Sequence, residues 1–524
     1  RLRLIWQDPH ALDPTKRAAR ATREIAARLA EVSKALEKAG HDAEHVAEFL
    51  MRCVFTMFAE DVKLLPEGSF TELLAECETK PEIFSGLLET LWRAMNDGGV
   101  AAAIRARIPR FNGDLFAHAR AYSLGREEIG ELRRAAEADW REVEPAIFGT
   151  LLEQALDPAE RRRLGAHYTP RAYVERLVIA TVIEPLRDDW RDVLAAAEQL
   201  KAEGDAKGAV AVVADFHRKL AATRVLDPAC GTGNFLYVSL ELMKRLEGEV
   251  LEALADLGGE EGLGLERQHI DPHLFLGIEL NPRAAKIAEL VLWIGYLQWH
   301  FRTRGGPPNE PILRAFHNIE HRDAVLTWDG APLPVIVEGK ETYPNARRPV
   351  WPEAEFIVGN PPFIGGKDVR ARLGTDYAET LWTVHKHVNP SADFVMYWWD
   401  RAAEILSRKG TNLRRFGFVT TNSITQVFQR RVVERHLDGK SPVSLVMAIP
   451  DHPWTKATRD AAAVRIAMTV AAAGSHDGRL REVVHESGLD TDDPTVLLDE
   501  QAGKINPDLT AGIDLSSAAE LSAN

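Results

Sequence analysis

The segment TRVLDPACGTGNF (223–235) indicates the fold more clearly than any other part of this 524-residue sequence. Its apolar, β-branched start predicts a short strand that ends at Asp227. Gly231 and Gly233 predict a tight turn, because glycine adopts backbone conformations that a Cβ forbids. The apolar residues that follow predict a helix. A strand, a glycine loop and a helix in this order are typical of an α/β sheet that binds a ligand at the carboxyl ends of its strands.

The sequence around this segment predicts the same architecture. From about residue 146, short β-branched runs alternate with amphipathic helices, which favours a mostly parallel, doubly wound, Rossmann-like sheet. The predicted strands are Arg224–Leu226, Leu274–Ile278, Phe356–Val358, Phe416–Thr420, Ser444–Ile449 and Val464–Thr469. Before residue 146, helix-forming residues dominate and apolar residues recur three and four positions apart. An all-helical domain is therefore expected to precede the α/β core.

Charge is distributed unevenly along the sequence. The net charge is -14, and 11 acidic residues against three basic ones lie between residues 475 and 524. Basic clusters occur elsewhere, at 161–163, at 414–415 and at 430–435. Each cluster is as readily explained by a solvated face as by a nucleic-acid contact. The acidic total argues against a broad surface that coats DNA, but it leaves room for a local cleft.

The sequence shows no signal peptide and no apolar run of the length that a membrane helix needs. Its three cysteines, Cys53, Cys77 and Cys230, are too few for a disulfide framework and lack metal-ligand spacing. No metal site and no membrane are therefore expected, and a reducing cytoplasm fits best. Because the sequence begins with Arg1 rather than Met, we expect a fragment or a missing start.

The glycine loop itself indicates the kind of ligand. The phosphate-binding patterns G-x-x-x-x-G-K-S/T and G-x-G-x-x-G are both absent from it. An acidic residue ahead of the loop instead suits a cationic ligand, such as the amino group and sulfonium of S-adenosylmethionine. The residues expected to bind that cofactor here are Asp227, Pro228, Ala229, Gly231, Gly233, Asn234 and Phe235.

Further cofactor contacts are expected from three other segments. Glu279, followed by Leu280, ends a predicted strand and is placed to accept both ribose hydroxyls. Asp323, followed by Ala324, is placed to accept from the adenine amino group. Thr169 precedes Pro170 at a predicted helix start, which indicates an N-cap. We also expect this segment to contact the amino-acid end of the cofactor.

The segment FIVGNPPF (356–363) predicts the chemistry. It reads as a buried strand that ends abruptly at Asn360, Pro361, Pro362 and Phe363. An aromatic amino group is a poor nucleophile, because its lone pair is delocalised into the ring. If the Asn360 side-chain oxygen and the Pro361 carbonyl hold its two hydrogens, the lone pair can point at the methyl donor. Phe363 offers a face on which a flipped base can stack.

Together these segments resemble the gamma-type amino-methyltransferases of DNA, most closely the methyltransferase part of the type IIL (MmeI-like) restriction-modification enzymes. The stretches that carry the resemblance are FLMRCVFTMFAEDVKLLP (49–66), GIELNPRAAKIAELVLWIGYLQWHFRTRGGPP (277–308), FIVGNPPFIGGK (356–367) and AAAVRIAMTV (461–470). The resemblance implies methyl transfer from S-adenosylmethionine to N6 of a flipped adenine in double-stranded DNA. It also implies that Trp454 helps to hold the base.

The predicted organisation follows from the resemblance. Residues 1–145 are expected to form a helical spacer, residues 146–475 the methyltransferase domain, and residues 476–524 an acidic linker or the start of a target-recognition domain. The family usually carries a nuclease domain and a recognition domain, and neither is complete here. We expect a bacterial, nucleoid-associated protein that acts in restriction-modification or phage defence. A separate subunit that supplies recognition, nuclease or other defence functions is one expected partner.

Other functions share part of the pattern. A type I modification subunit has a similar helical front and the same Asn-Pro-Pro-Phe loop, and it needs a separate specificity subunit. A glutamine methyltransferase of release factors also uses Asn-Pro-Pro-aromatic, although the chain length and the segment before Thr169 disfavour it. A non-catalytic DNA-binding component of a defence complex is the third alternative. The intact loops at residues 231 and 360 argue against the last.

Overall fold

The computed structural model describes residues 14–111, 115–141, 143, 145, 169–258, 269–304, 318–337, 340–454, 465–487 and 495–512. The chain divides into two compact units. Unit 1 comprises Arg1–Arg161, Gly231–Gly233 and Lys286–Ile319, and unit 2 comprises Arg162–Cys230, Asn234–Ala285 and Glu320–Asn524. The basic residues 161–163 and the segment 165–168 lie outside the described residues.

Unit 1 is built around amphipathic helices, as the spacing of apolar residues predicts. Its N-terminal helices are α1 (Pro14–Lys38), α2 (Ala43–Asp61), α3 (Ser69–Thr79), α4 (Phe84–Asp97) and α5 (Arg126–Ala136). Phe49, Phe55 and Trp92 are completely buried between them. The Trp92 indole donates to the Thr56 hydroxyl at 3.0 Å, so the polar atom of this large side chain is satisfied inside the core.

The expectation of an all-helical front is wrong in one detail. Two short antiparallel strands, β1 (Gly99–Ala101) and β2 (Ala106–Ile108), follow α4. Gly98 and Gly99 have φ values of 76° and 107°, which end the helix and turn the chain. Arg105 also has a positive φ, in the turn between the strands. Helical periodicity on both sides of so short a hairpin conceals it in the sequence.

Unit 2 contains the α/β core. The helices that follow α5 are α6 (Arg171–Val178), α7 (Glu184–Ala202), α8 (Ala206–Leu220), α9 (Asn234–Asp256), α10 (Pro282–Arg304, whose later part belongs to unit 1), α11 (Val369–Leu373), α12 (Thr375–Val384), α13 (Met396–Leu406) and α14 (Val427–Leu437). The strands are β3 (Val225–Asp227), β4 (Phe275–Glu279), β5 (Ile319–His321), β6 (Thr327–Trp328), β7 (Val335–Val337), β8 (Lys340–Thr342), β9 (Ala346–Arg347), β10 (Phe356–Gly359), β11 (Arg415–Thr421), β12 (Val443–Pro453), β13 (Arg465–Ala473), β14 (Gly478–Ser487), β15 (Thr495–Ile505) and β16 (Ala511–Gly512).

Ten of these strands form one sheet, in the order β16-β15-β14-β12-β13-β11-β10-β3-β4-β5. Strands β11, β10, β3 and β4 pair in parallel, and each predicted strand lies within a few residues of an observed one. Strand β13 lies antiparallel between β11 and β12. The sheet is therefore mixed. Strands β4, β3, β10 and β11 are parallel as predicted, whereas β13 is antiparallel to both of its neighbours. The fold is therefore an α/β core preceded by a helical region.

The acidic segment after residue 475 contributes strands to this sheet. Strand β14 pairs in parallel with β12, and β15 pairs antiparallel with β14. Leu480 and Ile505 are buried in the core of unit 2. The proposed domain limits at residues 145 and 475 stay a prediction, since the first lies next to residues 146–168, which are not among the described residues, and the second falls inside unit 2.

The core of unit 2 packs against the central strands because their side chains are apolar on both faces, as a covered parallel sheet requires. Leu226, Ile278 and Ile357 are buried there, together with the aromatic rings of α13. No helix within the described ranges is long and apolar enough to cross a membrane.

Candidate active site

Three predicted site residues follow the ends of neighbouring parallel strands. Asp227 ends β3, Glu279 ends β4 and Asn360 follows β10. Strand β3 pairs with both of the other two, and its register places Leu226 beside Ile357. Because the strands are parallel, their carboxyl ends meet at one edge of the sheet. The fold therefore brings together the predicted cofactor acids and the predicted catalytic loop.

Asp227 is the most deeply buried acid of this edge, with 1% of its surface exposed. Its Oδ1 accepts a hydrogen bond from the Ala229 amide at 3.0 Å. Its Oδ2 is buried and has no hydrogen-bond partner among the described residues. Burial, with a smaller contribution from Glu279, raises the pKa of Asp227 to about 8. A buried carboxylate with one vacant oxygen is suited to a cationic or hydrogen-bond-donating ligand.

The loop after Asp227 needs its two glycines. Gly231 and Gly233 have φ values of 53° and 82°, in the left-handed region that favours glycine. A Cβ on Gly233 would also lie 3.1 Å from Ala288. Helix α9 begins directly afterwards, at Asn234. The prediction of a tight glycine turn between strand and helix is confirmed by this geometry.

Glu279 and Asp323 are held by backbone amides. The Asn281 amide donates to Glu279 Oε1 at 2.8 Å, and Leu280 between them has 57% of its surface exposed. Asp323 Oδ1 accepts from the amides of Val325 and Leu326 at 2.7 and 3.1 Å. Burial raises the pKa of Asp323. Ala324 is buried beneath this turn.

Tyr377 on α12 is a site residue that sequence reasoning missed. Its hydroxyl donates to Asp323 Oδ2 at 2.8 Å. Trp398 on α13 was missed as well, and its indole donates to the Pro228 carbonyl at 2.9 Å. No local motif marks either residue, because each contact joins segments far apart in the sequence. An aromatic residue in a helix is ordinarily read as core.

Asn360 is oriented by Thr169. The Asn360 Nδ2 donates to the Thr169 hydroxyl at 2.9 Å, while Asn360 Oδ1 is buried without a partner in the part of the chain that the structure describes. Asn234 Nδ2 in turn donates to the Thr169 carbonyl at 2.9 Å. The amide of Asn360 is thus fixed through its nitrogen, and its oxygen is left available as an acceptor.

The expectation that Thr169 is an N-cap is wrong. Helix α6 begins at Arg171 with Pro170 as its cap, and no side chain caps it. Pro170 has φ and ψ of -55° and 140°, so it turns the chain into the helix by itself. The Thr169 side chain is thereby free to contact Asn360.

Two aromatic rings lie together at the end of the predicted catalytic loop. The centroids of Phe363 and Trp454 are 6.3 Å apart with an interplanar angle of 80°, which is an edge-to-face contact. Trp454 also contacts Tyr173 at 5.8 Å, and the Tyr173 hydroxyl donates to the Pro453 carbonyl at 2.8 Å. Trp454 is buried and Phe363 is partly exposed. Trp454 therefore supports the Phe363 ring on one side.

Three arginines of the predicted basic clusters form contacts within the protein. Arg414 forms a bidentate ion pair with Asp189, and Arg415 donates to the Ala180 carbonyl at 2.7 Å. Arg435 lies 3.3 Å from the buried Asp400. For these three residues the structure favours an internal role over a nucleic-acid contact.

Gly359 gives a sharp test of the packing at this edge. A Cβ at this position would lie 2.4 Å from Asp227 Oδ1, so Gly359→Ala must displace the carboxylate. We expect a loss of about 1–3 kcal/mol in the free energy of unfolding, measured by urea denaturation, and weaker cofactor binding. Gly248→Ala in α9 is the control, because a Cβ there meets nothing within 4 Å and alanine favours a helix. Equal stability of the two variants would contradict the packing described here.

The parallel strand ends, the glycine loop and the Asn-Pro-Pro-Phe loop define a class I S-adenosylmethionine-dependent methyltransferase. The family model for the MmeI DNA-methyltransferase domain matches residues 197–481. That match covers more than half of the chain, and the chain belongs to this family, whose cofactor is S-adenosylmethionine. The family model for the MmeI helicase spacer domain matches residues 44–116. The resemblance to MmeI-like enzymes seen in the sequence is confirmed.

Two known proteins are similar to this chain over most of its length. DNA methyltransferase A of Bacillus subtilis (strain 168) is 25% identical over 436 residues, which are 79% of this chain and 44% of the relative. The solved structure of the type IIL restriction-modification enzyme MmeI in complex with DNA has a TM-score of 0.68 and 24% identity, and the match covers 94% of this chain and 61% of that one. The chain thus spans less than two thirds of the length of either relative.

The residues of this edge fit the family's cofactor. The vacant Asp227 oxygen suits a positively charged group, and the turn at Gly231 and Gly233 lets the backbone approach a ligand closely. Glu279 adds a second carboxylate at the neighbouring strand end. The set contains acids and backbone amides, which matches a cationic ligand with ribose hydroxyls.

Proposed function

We propose that this chain is a DNA methyltransferase that methylates N6 of a flipped adenine in double-stranded DNA. One observation carries the proposal. The side-chain oxygen of Asn360 is buried and vacant at the strand edge, while its nitrogen is held by Thr169. An acceptor fixed in this way, next to a predicted methyl-donor site, suits a planar amino group better than any other acceptor of methyl groups. The assignment to adenine further rests on the resemblance to MmeI-like enzymes.

The proposed chemistry is positioning by Asn360 and Pro361. The Asn360 Oδ1 and the Pro361 carbonyl each accept one hydrogen of the adenine amino group. Because both hydrogens are then held on one side, the nitrogen lone pair leaves conjugation with the ring. S-adenosylmethionine, when bound, supplies an electrophilic methyl group. When the methyl group transfers, S-adenosylhomocysteine leaves and the nitrogen releases one proton to solvent, so neither Asn360 nor Pro361 needs to be a strong base. The rate gain comes from orientation and fixed dipoles.

Phe363 is proposed to stack on the flipped base. Its ring is partly exposed and rests edge-to-face on Trp454. A base that leaves the duplex loses its stacking energy, and an aromatic face recovers part of that loss. Pro362 between Pro361 and Phe363 stiffens the loop, because proline fixes its own φ. Trp454 then acts by holding Phe363 in place.

Each proposed cofactor residue is assigned to one chemical part of S-adenosylmethionine. Asp227 binds the positively charged amino-acid end, and Pro228, Ala229, Asn234 and Phe235 shape the loop around it with the two glycines. Glu279 accepts from the ribose hydroxyls. Asp323, oriented by Tyr377, accepts from the adenine amino group, with the exposed Leu280 covering the adenine ring and Ala324 behind it.

The proposed setting is a bacterial restriction-modification or phage-defence system. A solved relative was determined in complex with DNA, and this chain covers only part of its relatives. Double-stranded DNA is therefore the proposed partner, and a recognition or nuclease module joined to this chain or carried by another subunit supplies target choice. A cytoplasmic, nucleoid-associated location follows from that proposal.

Thr169 gives a test of how Asn360 is oriented. Thr169→Val removes the hydroxyl that accepts from Asn360 Nδ2 but keeps the shape of the side chain. We expect kcat to fall about tenfold with little change in cofactor affinity, since one neutral hydrogen bond contributes about 0.5–1.5 kcal/mol. Thr169→Ser keeps the hydroxyl and should restore most of the activity. Equal rates for the valine and serine variants would show that Thr169 does not position Asn360.

The proposed function is tested by transfer of a labelled methyl group. The chain is incubated with labelled S-adenosylmethionine and, in separate reactions, with mixed-sequence duplex DNA, single-stranded DNA or a bacterial protein extract. Label is expected in duplex DNA. Label in the protein fraction alone would favour the release-factor alternative and overturn the proposal. Cofactor binding without any transfer, even with a specificity subunit added, would favour the non-catalytic alternative.

A further inference from the structure

Three potential metal ligands converge in unit 2, away from the strand edge that carries Asn360. They are His217 near the end of α8, Glu247 in α9 and His269 ahead of β4. The His217 Nε2 lies 3.4 Å from Glu247 Oε1, and the His269 Nδ1 lies 3.5 Å from the same oxygen. All three ligand atoms lie within 4.8 Å of one another. One carboxylate oxygen thus faces two imidazole nitrogens.

His217 is buried without a hydrogen-bond partner among the described residues. Its side chain is 0% exposed. Within the described ranges, neither of its ring nitrogens has a hydrogen-bond partner. A buried imidazole without a partner is costly, since both nitrogens have lost their water. A ligand bound at Nε2, on the side of Glu247, removes the cost at that nitrogen.

The distances suit coordination better than hydrogen bonding. Nitrogen–oxygen hydrogen bonds are ordinarily about 2.7–3.2 Å long, and both contacts of Glu247 Oε1 are longer than that. When ligands surround Zn²⁺ tetrahedrally at about 2.0–2.1 Å, neighbouring ligand atoms are about 3.3–3.4 Å apart. The observed separations of 3.4 and 3.5 Å are therefore close to two edges of such a tetrahedron.

The surroundings of Glu247 prepare it to be a ligand through one oxygen. Lys244 Nζ lies 2.5 Å from Oε2, and the Ile270 amide donates to Oε1 at 2.8 Å. These two contacts fix the orientation of the carboxylate, and Oε1 faces both histidines. Hydrogen bonds of this kind commonly orient metal ligands.

We propose that His217, Glu247 and His269 bind one Zn²⁺ ion, with water as the fourth ligand. Two imidazoles and one carboxylate are a ligand set that zinc accepts. The His269 side chain is 23% exposed, which provides a route for the ion and a place for the water. The sequence predicts no metal site, because the three ligands come from separate segments that share no ligand-spacing motif.

A second cluster of potential metal ligands has its positions filled by other side chains. His387, Asp400 and Glu404 also lie close enough to hold an ion. Asp400, however, already contacts the side chains of Arg348, Arg435 and His436 at 3.4, 3.3 and 2.8 Å. Cationic side chains occupy the positions around that carboxylate, so the cluster is an ion-pair network.

The proposed zinc site is structural. Glu247 lies 13 residues after Asn234 in the same helix, which is about 20 Å along its axis. His269 precedes β4, whose opposite end carries Glu279. The ion therefore cross-links α8, α9 and the approach to β4 at the end of the sheet away from the proposed active site. Its loss should lower stability before it affects methyl transfer.

The test measures zinc binding by the intact chain. Protein stripped with a chelator is titrated with ZnCl₂ by calorimetry, metal content is measured by mass spectrometry, and Tm is recorded with and without zinc. We expect one zinc per chain and a higher Tm when zinc is bound. Absence of binding, or binding with no change in Tm, would overturn the proposal.

Variants assign the site to these residues. His269→Gln should weaken zinc binding at least tenfold, and its partly exposed position makes unfolding a small risk; His217→Asn should do the same where it folds. His273→Gln in the same segment and His387→Gln in the ion-pair network are controls that should bind zinc like the parent chain. Unchanged affinity in His269→Gln, or loss of zinc in His387→Gln, would contradict the assignment.

Discussion

Replacing Asn360 with alanine should lower kcat for DNA methylation by about 10²–10³-fold, because the variant loses a fixed acceptor that acts on the amino group in the transition state. The Asn360 oxygen is buried and vacant, and its nitrogen is held by Thr169 at 2.9 Å. The affinity for S-adenosylmethionine should stay within about twofold, since the proposed cofactor contacts come from other residues. Steady-state transfer of labelled methyl groups and calorimetry measure the two quantities separately.

Asn412→Ala is the matched control for this variant. Asn412 is exposed, ahead of β11, so its replacement should change neither kcat nor cofactor affinity. A kcat for Asn360→Ala within tenfold of the parent chain would contradict the role proposed for the Asn360 oxygen. A large loss of cofactor affinity would instead place Asn360 in the cofactor site.

Asp227 should make cofactor binding depend on pH. Burial, aided by Glu279, raises its pKa to about 8, so the carboxyl is largely protonated below that pH when no ligand is bound. A cationic ligand needs the ionised form. We therefore expect the affinity for S-adenosylmethionine to rise between pH 6 and 8, by up to about tenfold per pH unit, and to level off above pH 8. Calorimetry across this range measures the profile.

Asp227→Asn separates the pH dependence caused by Asp227 from the titration of the cofactor's own groups. The variant should bind the cofactor about 10²-fold more weakly at pH 8, and the part of the pH dependence that belongs to the protein should vanish. Asp438→Asn, at an exposed position after α14, is the control and should keep the parent profile. An Asp227→Asn variant that binds as tightly as the parent chain would refute the cofactor role of Asp227.

The same carboxyl links stability to pH. Its pKa is about 8 in the folded chain and near 3.8 in the unfolded one, so the folded state holds the proton more tightly. The corresponding stability of the ligand-free protein is fully present below about pH 4 and is lost as the pH rises through about 8. Asp227→Asn should flatten this part of the unfolding profile.

The sequence predicts those parts of the site that local chemistry determines. The glycine loop after Asp227 and the strand end before Asn360 are recognisable because each is built from consecutive residues. Parallel strands bring these ends to one edge of the sheet, so their proximity follows once the strands are identified. The same reasoning located Glu279 at the end of β4.

The contacts that complete the site depend on tertiary packing. Thr169 and Asn360 are 191 residues apart, and Tyr377 and Asp323 are 54 residues apart. Nothing in the neighbourhood of Thr169 distinguishes a hydroxyl that positions an amide from one that caps a helix. The position of β13 between β11 and β12 likewise comes from pairing over a long sequence separation, which local periodicity does not encode.

The identity of the methylated base tests the central proposal most directly. The chain is incubated with labelled S-adenosylmethionine and mixed-sequence duplex DNA, the DNA is digested to nucleosides, and the labelled nucleoside is identified by mass spectrometry. The proposed roles of Asn360, Pro361 and Phe363 predict label on N6-methyladenine, formed about 10²–10³-fold more slowly in the Asn360→Ala reaction. Label on cytosine would contradict them.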